Sequence, residues 1–220
     1  MTLNRIRARD SFTGKDFAFV AETLASTPRE ADALATLMAD PAAFVEVLDH
    51  AALASRLEAS GDLTEVSPAF FLYVMLRRSL REAGIDDRDV ADYVAAMLNH
   101  FISGANWRTA PGGGLPVDYE IDLQQALQAA SPAQRAALYA FGGDRNLFLT
   151  GLHSAHLRHR KRRKGAPGVR FYESAGRSHY RSARDCTAPE DPQRDTFDLL
   201  AETFPGIRTR LNHLASEYFN

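Results

Sequence analysis

At 220 residues, with 45% apolar and 25% charged side chains and a formal charge of −2, the chain has the composition of a folded protein long enough to bury a substantial core, and not of a disordered segment. Its single cysteine, Cys186, excludes an intrachain disulfide and any cysteine-based zinc site. The basic N-terminus is followed by no secretory apolar region, and the longest wholly apolar run, Ala69 to Leu76, falls far short of the roughly 20 residues that cross a bilayer, so a cytoplasmic protein is expected.

Helix starts are legible along the chain. Thr27-Pro28, Asp40-Pro41, Ser67-Pro68 and Ser131-Pro132 each place a capping side chain before a proline. At the first helical position the missing proline N–H costs nothing, and the fixed φ suits the helix. Gly61, Gly84, Gly104 and Gly165 stand where C-terminal glycines belong. The pattern predicts helices near 15–25, 28–39, 41–59, 68–83, 87–103, 118–130, 132–164, 168–186, 191–203 and 206–218. No stretch sustains the period-2 alternation of a strand. The expected fold is all-α, a single bundle-like domain of nine or ten helices.

The helix from Pro68 opens Ala-Phe-Phe-Leu-Tyr-Val-Met-Leu, apolar on every face, which puts it at the centre of the fold. On the next helix Val90, Tyr93, Val94, Met97, Leu98 and Phe101 form one stripe. Asp86, Asp87, Asp89 and Asp92 load its start with negative charge, as the helix dipole favours. Residues 104–117 form a long Gly/Pro-rich loop holding the sole tryptophan, Trp107, expected either to plug the edge of the core or to act as a lid over a binding site. The second half shows no obvious core of its own.

Charge is unevenly spread. Residues 158–164 read Arg-His-Arg-Lys-Arg-Arg-Lys, and from Arg158 to Arg184 ten Lys/Arg face one acid, Glu173, a local charge of +9 against −11 for the remaining chain. The apolar face of the 132–164 helix, Leu147, Phe148, Gly151, Leu152 and Ala155, runs into His156 and His159 and then into solid positive charge. A helix dipole favours a few cations at a C-terminus by about 0.3–1 kcal/mol each. Six adjacent ones repel one another, so an anionic partner that relieves the repulsion is expected. His153, His156 and His159 recur every third residue and rotate apart by about 60° per step. They do not converge like an i,i+4 zinc pair, and no metal site is expected.

On the following helix Val169, Tyr172, Gly176, His179, Ala183 and Cys186 share a stripe, where Gly176 and Ala183 leave room for a neighbouring helix. His179 reads as a buried, hydrogen-bonded histidine and Cys186 as inert packing. The opposite face carries Glu173 and Arg177, spaced for an i,i+4 pair, with Arg181 and Arg184 in line. These arginines extend the positive surface into a basic helical hairpin over 158–184.

No nucleophile elbow, phosphate loop, dinucleotide fingerprint or di-iron motif occurs, so no catalytic residue and no cofactor is assigned. The stretches Asn146-Leu-Phe-Leu-Thr-Gly-Leu and Phe171-Tyr-Glu-Ser-Ala-Gly-Arg-Ser-His-Tyr180 resemble a group of uncharacterised all-helical bacterial proteins. That resemblance implies a helical fold and no activity. The functional expectation is a non-catalytic binding or adaptor protein. Its basic hairpin (Arg158, Arg160, Lys161, Arg162, Arg163, Lys164, Arg177 and Arg181) would engage nucleic acid or an acidic protein surface. The alternative is a small-molecule-binding protein or enzyme with an interhelical pocket near Tyr172, His179 and Tyr180, gated by Trp107.

Overall fold

The computed structural model describes residues 7–60, 64–102, 108–111, 116–164 and 166–218, Lys164 by its backbone alone. Trp107, Gly61, Gly104 and Gly165 lie outside the described residues. Within them a short 3₁₀ turn, Ala8–Ser11, is followed by eleven α-helices. These are α1 (Gly14–Leu24), α2 (Pro28–Met38), α3 (Pro41–Leu48), α4 (Ala51–Ser60), α5 (Pro68–Glu82), α6 (Arg88–Ile102), α7 (Glu120–Ala129), α8 (Pro132–Leu152), α9 (Ser154–Lys164), α10 (Val169–Cys186) and α11 (Gln193–Tyr218). No strand occurs among the described residues, and no helix there is long and apolar enough to cross a membrane.

All four Ser/Thr/Asp-Pro signals start helices. Thr27 accepts from the Glu30 N–H at 3.3 Å, Asp40 from Ala42 and Ala43 at 2.9 and 2.8 Å, and Ser67 from Phe70 at 3.2 Å. At Ser131 the Gln134 side chain reaches back and accepts from the Ser131 N–H at 3.1 Å. Gly84, at φ +78°, ends α5 in a Schellman arrangement, with Gly84 N–H on the Arg81 carbonyl and Ile85 N–H on that of Leu80, both at 2.9 Å.

Three boundaries differ from the sequence expectation, each because of a distant or unusual partner. The 41–59 stretch breaks at Asp49–His50. There Asp49 is drawn to Arg77 at 2.8 Å and to Arg88 at 3.0 Å, while His50 Nδ1 caps α4 by accepting from Ala52 N–H at 3.3 Å. The 132–164 stretch breaks at His153. Asn212 of α11 donates to the Thr150 carbonyl at 2.9 Å, the carbonyl that Ser154 N–H would use in an unbroken helix, and Ser154 turns its hydroxyl to Asn212 Oδ1 at 2.5 Å. Conversely, 191–203 and 206–218 fuse into α11, which runs through Pro205. The carbonyl left over by the proline, that of Ala201, is taken by Arg177 Nε at 3.0 Å.

The chain divides into two compact units, one within Ile6–Asn99 and the other within His100–Asn220. In the first, α5 is the buried axis: every residue from Ala69 to Arg77 is buried, as is Leu80. Phe12 and Phe19 meet Phe70 edge-on at 5.2 and 5.8 Å. Buried charges are matched, Asp92 by Arg9 at 2.9 Å and Arg77 by Asp49 and Asp86.

The second unit does build its own core, from α8, α10 and α11. Small residues let these helices close. A Cβ on Gly143 would sit 2.6 Å from the Tyr180 ring, and one on Gly176 would sit 2.6 Å from that of Phe204. Tyr180, Phe197 and Phe204 fill the space so made, and Tyr180 donates its hydroxyl to Asp144 at 2.8 Å. The basic helix α9 therefore does not simply continue outward from α8. It starts afresh after His153 and is held by Leu157, 1% exposed, which packs with Leu149, Tyr172 and Val169.

Candidate anion-binding cleft

Because Leu157 fixes the rotation of α9, its cations separate into faces. His156, His159, Arg160 and Arg163 follow an i, i+3, i+4, i+7 spacing and form one stripe. That stripe is one wall of a cleft of about 540 Å³. The remaining lining comes from Leu157 of α9 itself, Arg145 and Leu149 of α8, Tyr172 of α10, and Arg108, Asp118 and Tyr119 from the segment leading into α7. Four arginines and two histidines thus border a cleft with a single carboxylate, that of Asp118, already paired with Arg108. Leu149, Leu157 and Tyr172 supply an apolar floor.

Arg145 is the buried cation of this cleft, 2% exposed, and its Nη2 donates to the Asp118 carbonyl at 2.5 Å, tethering the chain that enters α7. Burial pushes its guanidinium below the ordinary arginine value, with Glu120, Tyr172, Asp118 and Asp122 acting in the opposite sense.

The other cations of the run lie elsewhere. Arg158 and Arg162 are exposed and outside the cleft lining, and Lys161 lays its aliphatic stem over Gly168. The α10 arginines are less available than their alignment suggests. Arg177 is half-buried and engaged with Ala201, Arg184 pairs with Asp198 and Asp185, and only Arg181 of the three is exposed. Glu173 pairs across to Arg208 of α11 at 3.0 Å, not along its own helix.

Of the interhelical pocket residues, Tyr172 lines the cleft, whereas Tyr180 belongs to the core and His179 to a separate buried cluster. His179 Nε2 donates to Glu120 Oε1, with the Tyr139 ring beside it at 6.1 Å. Burial would raise the Glu120 carboxyl. The hydrogen bond and charge of His179, with Asn146 and Arg145 close by, instead hold it below the ordinary carboxylate value. Asn146 is fully buried next to this pair. Glu120 and Asn146 were not singled out in the sequence. An acid just after an N-cap and an asparagine inside an apolar run look ordinary until the fold places them opposite His179. Cys186, expected in packing, is exposed at the end of α10.

The chain matches no known protein family, no curated protein and no solved structure.

Proposed function

We propose that this protein binds nucleic acid through α9, as a binding protein that performs no chemistry on its partner. The density of cations on one short helix, none of them in an ion pair among the described residues, carries this reading. Arg9, Arg56, Arg77, Arg78, Arg81, Arg88, Arg108, Arg184 and Arg208 each hold a carboxylate within 4 Å. Among the described residues no carboxylate forms an ion pair with Arg158, Arg160, Lys161, Arg162 or Arg163, in a chain whose remainder is strongly acidic. Like charges four apart on a helix oppose it by about 0.2–0.5 kcal/mol per pair. A polyphosphate removes that opposition and releases its own counterions, so affinity falls steeply with salt.

The test is fluorescence anisotropy with a labelled oligonucleotide at about 50 and about 200 mM salt. The expected result is binding that weakens by orders of magnitude across that range, and is lost when Arg158, Arg160, Arg162 and Arg163 are all changed to Gln. Binding by the Gln variant equal to that of the original chain rejects the proposal. Binding of labelled polyglutamate with no retention of nucleic acid points instead to an acidic protein surface.

A further inference from the structure

Resting on the nucleic-acid reading, we infer that the α9 cleft receives one unpaired nucleotide, so that the protein prefers single strands to duplex. The cleft is amphipathic in the way a nucleotide is. Its floor, Leu149, Leu157 and Tyr172, is apolar and includes an aromatic ring, and Tyr119 stands at its edge with 59% of its surface exposed. Its α9 wall carries Arg160 and Arg163 at i,i+3, free of carboxylates among the described residues, with His156 and His159 on the same stripe. A base inserted over the apolar floor against Tyr119 would leave its phosphate at that wall. Base stacking on aromatic side chains is indifferent to sequence but needs an unpaired base, and single-strand sites combine such platforms with cationic walls.

The cleft volume of about 540 Å³ accommodates one nucleotide and not a stacked pair of strands, whose bases are turned inward. A free mononucleotide has the same chemistry but does not account for Arg158 and Arg162. These stand outside the cleft on the same helix and are equally without carboxylates among the described residues. Phosphates flanking an inserted nucleotide reach them, because an α-helix is only about 10–12 Å across with its side chains. A strand, not a nucleotide, therefore matches the whole surface.

The experiment compares a labelled 12-nucleotide single strand of mixed sequence, the same sequence as a duplex, and AMP as competitor, on the intact chain and on Tyr119→Ala. Tyr119 is exposed enough for its removal to leave the fold intact, which an unchanged circular dichroism melt verifies. The single strand is expected to bind about tenfold or more tightly than the duplex. Tyr119→Ala should weaken the single strand about tenfold and so erase that preference, and AMP should compete only at concentrations far above those of the strand. Equal binding of strand and duplex overturns the inference but leaves the nucleic-acid reading standing. AMP competing as well as the strand overturns it in favour of a nucleotide pocket. Retention of neither nucleic acid overturns both.

Discussion

His179 and Glu120, 59 residues apart, meet through Nε2 and Oε1 inside the C-terminal unit. An ionised carboxylate can only accept, so Nε2 carries the proton. Glu120 titrates below its usual value, which makes stability from this pair present above roughly pH 4.3, the unfolded carboxylate value, and lost as pH falls through the lower folded one. Replacing His179 by Leu leaves a half-buried carboxylate without its partner and should cost about 1–3 kcal/mol at neutral pH. Urea unfolding should show the gap between the two proteins narrowing as pH falls from neutrality, because burial without His179 raises the Glu120 carboxyl and it takes up its proton before the unfolded chain does. Equal stability at pH 7 would refute the account.

Arg177 donates to the carbonyl that Pro205 orphans, so its role is tied to that proline. Arg177→Ala should destabilise by about 1–3 kcal/mol through an unpartnered buried carbonyl. On a Pro205→Ala background, where residue 205 supplies its own N–H, the same change should cost measurably less. A double-mutant cycle in chemical denaturation reads the coupling directly, and strict additivity would contradict it. Duplex or strand affinity should barely respond to Arg177→Ala.

The cations of α9 should behave in the opposite way. With no internal carboxylate on them among the described residues, changing Arg158, Arg160, Arg162 and Arg163 together to Gln should leave the melting temperature equal or slightly higher at low salt, since i,i+4 repulsion of about 0.2–0.5 kcal/mol per pair is removed. A clear drop in a thermal melt would mean these side chains hold the fold.

Tyr73 offers a test in the N-terminal unit. It is fully buried, its hydroxyl has no hydrogen-bond partner, and burial pushes its pKa up to about 12. A raised folded value means this contribution to stability is complete below about pH 10 and is lost as pH climbs towards 12. Tyr73→Phe should be neutral or stabilising at pH 8, and should spare the protein about 1 kcal/mol of that loss by pH 11. Parallel stability curves for the two proteins across this range would exclude a protonated, buried Tyr73 as the cause.

Most of the helical architecture was legible because its signals are local. A cap and proline four residues from an apolar run, or eight apolar residues after Pro68, need no knowledge of the rest of the chain. The Gly176 stripe was legible for the same reason, since missing bulk at helical spacing already implies a close neighbour. Illegible features all depend on a distant partner. Asn212 breaks α8 from 62 residues beyond Thr150, Arg177 rescues the helix at Pro205, and Arg208 takes Glu173 away from the expected pair. The cationic run itself was plain, but its division into a cleft wall and an outer face follows from the single buried position of Leu157.

That position also sets how α9 opens. Leu157 is the one large apolar side chain by which this helix is held, and the hydrogen-bonded ladder is already interrupted at His153. Undocking α9 exposes Leu157 and the sides of Leu149, Tyr172 and Val169 packed on it, on the order of a few kcal/mol at about 1.5–3 kcal/mol per buried apolar side chain, less than unfolding the α8, α10 and α11 core. Its amide protons should therefore exchange with deuterium through a private, low-energy opening, and trypsin should cut first among Arg158–Arg163. A bound polyanion, by pinning both faces of α9, would slow both processes, turning this lightly anchored helix into its own occupancy gauge.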